Sequence, residues 1–271
     1  MPQIINTNVM SLNSQRALNM SQKSMATSLE RLSSGLRINR AADDAAGMAV
    51  SETMTQQIRG LGAAVRNAGD GVSLAQVAEG AASEMHNILQ RMNELAIQAT
   101  NGTYSDDDRA QLDLEFQQLT EELSDIARVA NFNGRTLLDG TSSFILQVGL
   151  TATDTVEVLP QDLTDTVLSI GDEDVLSSAA AQTAITDITA AIKTINTTRA
   201  TFGAVQNRLE SKIRNLENVI ENTSAARSRI RDADFASETA NLTRTQILQQ
   251  AGVAMLAQAN QLPSNALSLL G

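Results

Sequence analysis

The chain has 271 residues, a formal net charge of −11 and an isoelectric point near 4.6. Its only lysines are Lys23, Lys193 and Lys212, which argues against nucleic-acid binding by phosphate neutralisation. A single histidine and no cysteine remove the usual zinc sites, disulfides and thiolate chemistry. Aromatic residues make up 2%, so a core must be built from Ala, Leu, Ile, Val and Met, a composition suited to close helix–helix packing.

Leu18, Gln22, Met25, Leu29, Leu32 and Leu36 recur at alternating steps of four and three and predict a first helix. Met54, Ile58, Leu61, Val65, Ala68, Val72 and Ala75 draw a second stripe. A third, slightly out of phase, takes Ala81, Met85, Ile88, Met92, Leu95 and Ala99. The phase shift reads as a stutter inside one helix over residues 44–100. Such a helix would be roughly 80 Å long and implies a rod. Gly60, Gly62, Gly69 and Gly71 weaken it by up to ~1 kcal/mol each and suggest close approach of a neighbouring helix.

Asn101-Gly102 closes that helix, and Ser105 with Asp108 caps the next, with Asp106 and Asp107 at its positive end. Leu112, Phe116, Leu119, Leu123, Ile126 and Ala130 form its stripe, and Asn133-Gly134 marks a turn. Within residues 141–175, "FILQVGL", "DTVEVLP" and "TVLSIG" read as short strands. Helical spacing returns with Ile185, Ile188, Ile192 and Ile195 and continues to Ile220. The last stripe runs through Leu248, Gly252, Met255, Ala259, Leu262, Ala266 and Leu269, with Pro263 limiting how far the helix runs undisturbed.

The fold class is therefore mainly α: a long antiparallel helical hairpin or coiled-coil rod with a small β-hairpin in mid-sequence. Its two terminal stripes are each other's first partner. No run reaches the ~20 apolar residues that span a bilayer, so no membrane partner is expected. The acidic groups Asp43-Asp44, Asp106-Asp107-Asp108 and Asp172-Glu173-Asp174 would need further ligands at fixed spacing to hold a metal; the run at 106–108 reads as helix capping and solvation, and His86 as a polar helix position. No catalytic, metal-binding or cofactor-binding residue is assigned, and no cofactor is expected.

The stretches "LERLSSGLRINRAADDAAGMAVSE" and "SRIRDADFASETANLTRTQILQQAGVAMLAQANQLPSNALSLLG" resemble the two ends of bacterial flagellin. "GDGVSLAQVAEGA", "LQRMNELAIQATNGT", "FNG" and "FGAVQNRLES" extend the resemblance along nearly the whole chain. The resemblance implies an inner coiled-coil domain from residues 1–44 and 231–271, and a rod domain over 45–230. It implies almost no outer variable domain, hence a minimal flagellin. It also implies a subunit that polymerises into the extracellular filament used for swimming, exported by a dedicated system without a cleaved signal peptide. The start of the chain, "MPQIINTNVMSLNSQRALNM", lacks a secretory signal pattern, in keeping with that route.

On this reading Leu18, Met25, Leu29, Leu32, Leu36, Leu248, Met255, Leu262 and Leu269 face the filament core. Further implied partners are an export chaperone, the filament cap, hook–filament junction proteins and a vertebrate innate-immune receptor. The receptor would read Arg91, Leu95, Gln98, Glu115 and Arg208, with Met92-Asn93 standing where some strongly recognised relatives carry Val-Arg. A hook–filament junction protein or minor flagellar subunit is the alternative, and a soluble helical factor forming discrete oligomers is a second.

Overall fold

A computed structural model describes residues 7–158 and 161–268, with side chains described as far as residue 261 except at residue 166. Six helices and two small antiparallel sheets follow in chain order among the described residues. The chain divides into two units, one formed by Met1–Gln56 with Asn222–Gly271 and the other by Gln57–Glu221. The division falls inside the two longest helices, which contribute residues to both.

Helix α1 (Val9–Ser34) starts where Asn8 accepts the Ser11 N–H and ends at Gly35. Gly35 adopts φ +72°, and its N–H closes on the Arg31 carbonyl, an ending that a side chain would strain. Helix α2 (Ala45–Thr100) follows as one uninterrupted helix through the predicted stutter. Asp44 accepts the Gly47 N–H at 2.8 Å at its start. Helix α3 (Asp106–Val129) begins with the expected capping box: Ser105 accepts the Asp108 N–H, and the Asp108 carboxylate accepts the Ser105 N–H.

Strands β1 (Asn131–Phe132) and β2 (Arg135–Thr136) turn through Asn133 and Gly134, both at positive φ. Strands β3 (Phe144–Gln147) and β4 (Thr155–Val158) pair antiparallel, Phe144 opposite Val158. The stretch "TVLSIG" corrects the sequence reading. It holds a single helical turn, α4 (Asp165–Leu168), in which Thr164 O accepts the N–H of Val167 and Leu168. Asp162 caps this turn by accepting from the Thr164 N–H and hydroxyl, so the local hydrogen bonds favour a turn over a strand. Helix α5 (Ser178–Arg231) returns antiparallel to α2, and α6 (Phe235–Ser268) completes the described chain. α6 continues past Pro263, whose missing N–H removes one backbone bond without ending the helix.

The second unit owns the core. α2, α3 and α5 bury Met85, Leu89, Met92, Leu95, Phe116, Leu123, Ile188 and Ile195 essentially completely. The β3–β4 hairpin adds Val148 and Val156 against Ala68 and Leu209. Gly60 and Gly71 admit this hairpin: a Cβ would lie 2.5 Å from a Leu150 methyl at Gly60 and 2.3 Å from a Leu146 methyl at Gly71. The close neighbour is thus mainly the hairpin and not a helix, while Gly62 and Gly69 face open space. In the first unit, the described buried hydrophobic residues are only Ile38 and Ala259.

Candidate functional site

α1 and α6 run antiparallel, held by contacts that step in opposite directions along the two helices. Asn8 Nδ2 donates to Ala259 O at 2.7 Å, Ser11 Oγ to Asn260 Oδ1 at 2.9 Å, and Ser21 Oγ to Thr245 O at 3.1 Å. Arg31 and Glu238 form an ion pair at 3.1 Å, with the Glu238 carboxylate nearly buried. On α6 the residues facing α1 recur every seven positions as Glu238, Thr245, Gly252 and Ala259, all buried or half-buried. On α1 the seam alternates Ser11, Leu18, Met25 and Leu32 with Ser14, Ser21 and Ser28. This is a coiled-coil seam in which small and polar residues alternate with Leu18, Met25 and Leu32.

The expected pairing of the two ends therefore forms, but its seam is rotated from the predicted stripes. Leu29 is 48% exposed, Leu248 53% and Met255 62%, while Leu18, Met25, Leu32 and Leu36 are half-buried. Ser21 and Ser28 lie where Gln22 and Leu29 were expected, because a small side chain lets the helices approach; the Ser21 hydroxyl also donates to the Thr245 carbonyl across the seam. Gly252 allows the same closeness: a Cβ there would stand 3.4 Å from a Leu18 methyl. The side chains of Leu262 and Leu269 lie outside the described residues. Sequence reasoning missed Met10, Leu12, Met20, Ile247 and Val253, all more than half exposed. Their signal was legible: a helix apolar on several faces requires several partners.

The second set of predicted residues lies in the other unit. Arg91 on α2 contacts Glu115 on α3 at 2.8 Å and Glu94 at 3.2 Å; these hydrogen bonds, Glu115 first, raise the arginine pKa further above its usual value. Gln98 Nε2 donates to the Tyr104 hydroxyl at 2.6 Å. Arg91, Glu115 and Gln98 are exposed. Leu95 is not: it is 1% exposed within the main core, because its position on α2 turns toward α3 and α5. Arg208 is exposed on α5 one residue before Leu209, which packs at Gly71. Arg91 lies a further twenty residues along α2, about 30 Å of helical rise. The fold thus gathers Arg91, Glu115 and Gln98 and leaves Arg208 apart.

Among the described residues no group of His, Asp and Glu is arranged to hold a metal ion, and no helix is long and apolar enough to cross a membrane. The model of the bacterial flagellin N-terminal helical region matches residues 5–143, and that of the C-terminal helical region matches residues 185–270. A flagellin of Halalkalibacterium halodurans is 49% identical, covering 98% of this chain and 99% of its own length. The chain belongs to the bacterial flagellin family.

A flagellar filament 31.3 kDa core protein of Treponema maltophilum is 45% identical over the same shares of both chains. The crystal structure of Bacillus cereus flagellin matches with a TM-score of 0.52 and 36% identity, covering 56% of this chain and 88% of that one. As a flagellin the chain is a structural subunit of the extracellular flagellar filament and not an enzyme. Relatives this similar along their whole length favour the filament subunit over a junction protein.

Proposed function

We propose that this flagellin polymerises through the outward faces of α1 and α6. On this reading residues 1–44 and 231–271 supply the inner coiled-coil domain of the filament, and residues 45–230 supply the rod with its hairpin. One observation carries the reading: the two helices are already paired, yet Leu12, Met20, Ile247, Leu248, Val253 and Met255 remain more than half exposed. Burial against neighbouring copies would stabilise the assembly by roughly 25 cal/mol per Å² of apolar surface. The side chains of Leu262 and Leu269 are assigned to the same interface from the sequence stripe.

The filament serves swimming motility. The subunit reaches it unfolded, through a dedicated export system with an uncleaved N-terminal segment. A chaperone, the filament cap and hook–filament junction proteins are its transient or terminal partners. A vertebrate innate-immune receptor reads the exposed Arg91, Glu115 and Gln98, with Arg208 contributing from α5. Leu95 shapes that face from beneath, since it sits in the core.

Seeded polymerisation tests the central claim: monomer is added to short filament fragments and followed by sedimentation and electron microscopy. Long tubular filaments are expected. Monomer that persists where a known flagellin grows would transfer the assignment to a junction or minor subunit.

A further inference from the structure

We propose that Met20 and Met255 form a peroxide-sensitive modification site, at which oxidation of the two thioethers stops the subunit from adding to a filament. The inference rests on the assembly reading above, with a second copy of this chain as the partner that the groove receives.

The chain has nine methionines and no cysteine, so its only oxidisable sulfur is in thioethers. The methionines differ sharply in access. Met85 and Met92 are fully buried in the core of the second unit, whereas Met20 and Met255 are each 62% exposed. Those two line one open groove of about 620 Å³ along the α1–α6 pair, together with Ala17, Leu18, Leu248 and Ala251. Met10 is exposed to a similar degree but does not line this groove.

The chemistry balances with a hydroperoxide as co-reactant. A sulfur lone pair attacks the terminal peroxide oxygen, an S–O bond forms and the O–O bond breaks. The departing oxygen takes up a proton and leaves as water or an alcohol. Sulfur is oxidised by two electrons and the peroxide is reduced by two. The product is a polar, chiral sulfoxide in place of a flexible apolar side chain. Its oxygen is a strong hydrogen-bond acceptor set beside the apolar lining of Ala17, Leu18, Leu248 and Ala251, in a groove that also holds Asn13, Ser14, Ser24 and Thr245. A second copy docking an apolar face there would strip water from this oxygen and supply no donor in its place. Nothing in the free subunit opposes the oxidation, because the thioethers already face solvent.

The test treats purified monomer with hydrogen peroxide, locates sulfoxides by peptide mass spectrometry and measures elongation on untreated seeds. Sulfoxide should form at Met20 and Met255 at least about tenfold faster than at Met85 and Met92, and elongation should fall about tenfold. In the M20L/M255L variant the ratio of treated to untreated rates should stay near one, whatever its basal rate. Reduction of the oxidised wild type by the two methionine sulfoxide reductases should restore elongation, and if the double variant does not elongate, the M10L monomer decides, since its elongation should fall on treatment as the wild type's does.

Normal elongation by chains carrying both sulfoxides would overturn the proposal. So would equal sensitivity of the double variant, which would move the effect to Met10 or another site. Failure of untreated monomer to elongate would instead overturn the assembly reading itself.

Discussion

Gly71 and Gly69 lie two residues apart on the same helix and face opposite demands. A Cβ at Gly71 would meet a Leu146 methyl at 2.3 Å and a Leu209 methyl at 3.0 Å, whereas one at Gly69 meets nothing within 4 Å. Gly69→Ala should therefore stabilise the chain by up to ~1 kcal/mol through helix propensity. Gly71→Ala gains the same propensity but overpacks the hairpin contact, for a net loss of about 1–2 kcal/mol. Opposite shifts of about 2–5 °C in the melting temperature, read by calorimetry, would confirm the contrast. A second residue-scale device is Glu173, whose pKa is raised by burial and then by Asp187. A carboxyl with a raised folded pKa stabilises the fold fully below its unfolded pKa and loses that contribution as pH rises through the folded value. Glu173→Gln should hence raise the melting temperature at pH 7, with the gain disappearing as pH falls below the ordinary glutamate range. A gain that is independent of pH would contradict this.

At the scale of elements, local signals fix where helices begin and end. Ser105 and Asp108 make a reciprocal cap for α3, with Asp106 and Asp107 in its first turn. Ser105→Ala should cost about 1 kcal/mol in a urea titration of the monomer. The hydrogen bonds from the Ser105 hydroxyl and N–H hold the Asp108 carboxyl below its usual range. Its contribution is present above the unfolded aspartate pKa and is lost as pH falls through the depressed folded value. The penalty of Ser105→Ala should accordingly shrink in acid. The α1–α6 pair is a different kind of element contact. Its seam of serines, Thr245, Gly252 and the Arg31–Glu238 pair gives register through directional bonds and little apolar burial.

For the whole molecule, the two units differ in what holds them. The second contains nearly all of the described buried hydrophobic residues; the first has Ile38 and Ala259. Local opening follows such differences in burial. Hydrogen exchange of the monomer should be fast along α1 and α6 and slow in residues 74–99 of α2 and in the α3 core positions around Phe116 and Leu123. In filaments the α1 and α6 amides should slow by at least about tenfold, as partners cover the faces that the single chain leaves open. Equal exchange in both states would remove these helices from the assembly interface.

The helices, their caps, the Asn-Gly turn and the pairing of the chain ends were legible in the sequence, because periodicity and capping act over a few residues. The family was legible for the same reason, from motifs that run along nearly the whole chain. Tertiary structure alone decided which of several apolar faces became the seam. The stripe through Leu29, Leu248 and Met255 was the more hydrophobic choice, but Ser21, Ser28 and Gly252 allow closer approach, and the hydroxyls of Ser11 and Ser21 find acceptors across the gap. It also decided that Leu95 turns into the core beside exposed Arg91, that "TVLSIG" closes into a helical turn capped by Asp162, and that Gly71 faces a β-hairpin. The seam, Leu95 and Gly71 depend on atoms supplied by segments distant in the chain, which no local pattern specifies, whereas the turn at Asp162 rests on local hydrogen bonds that outweigh the β-branched composition of the stretch.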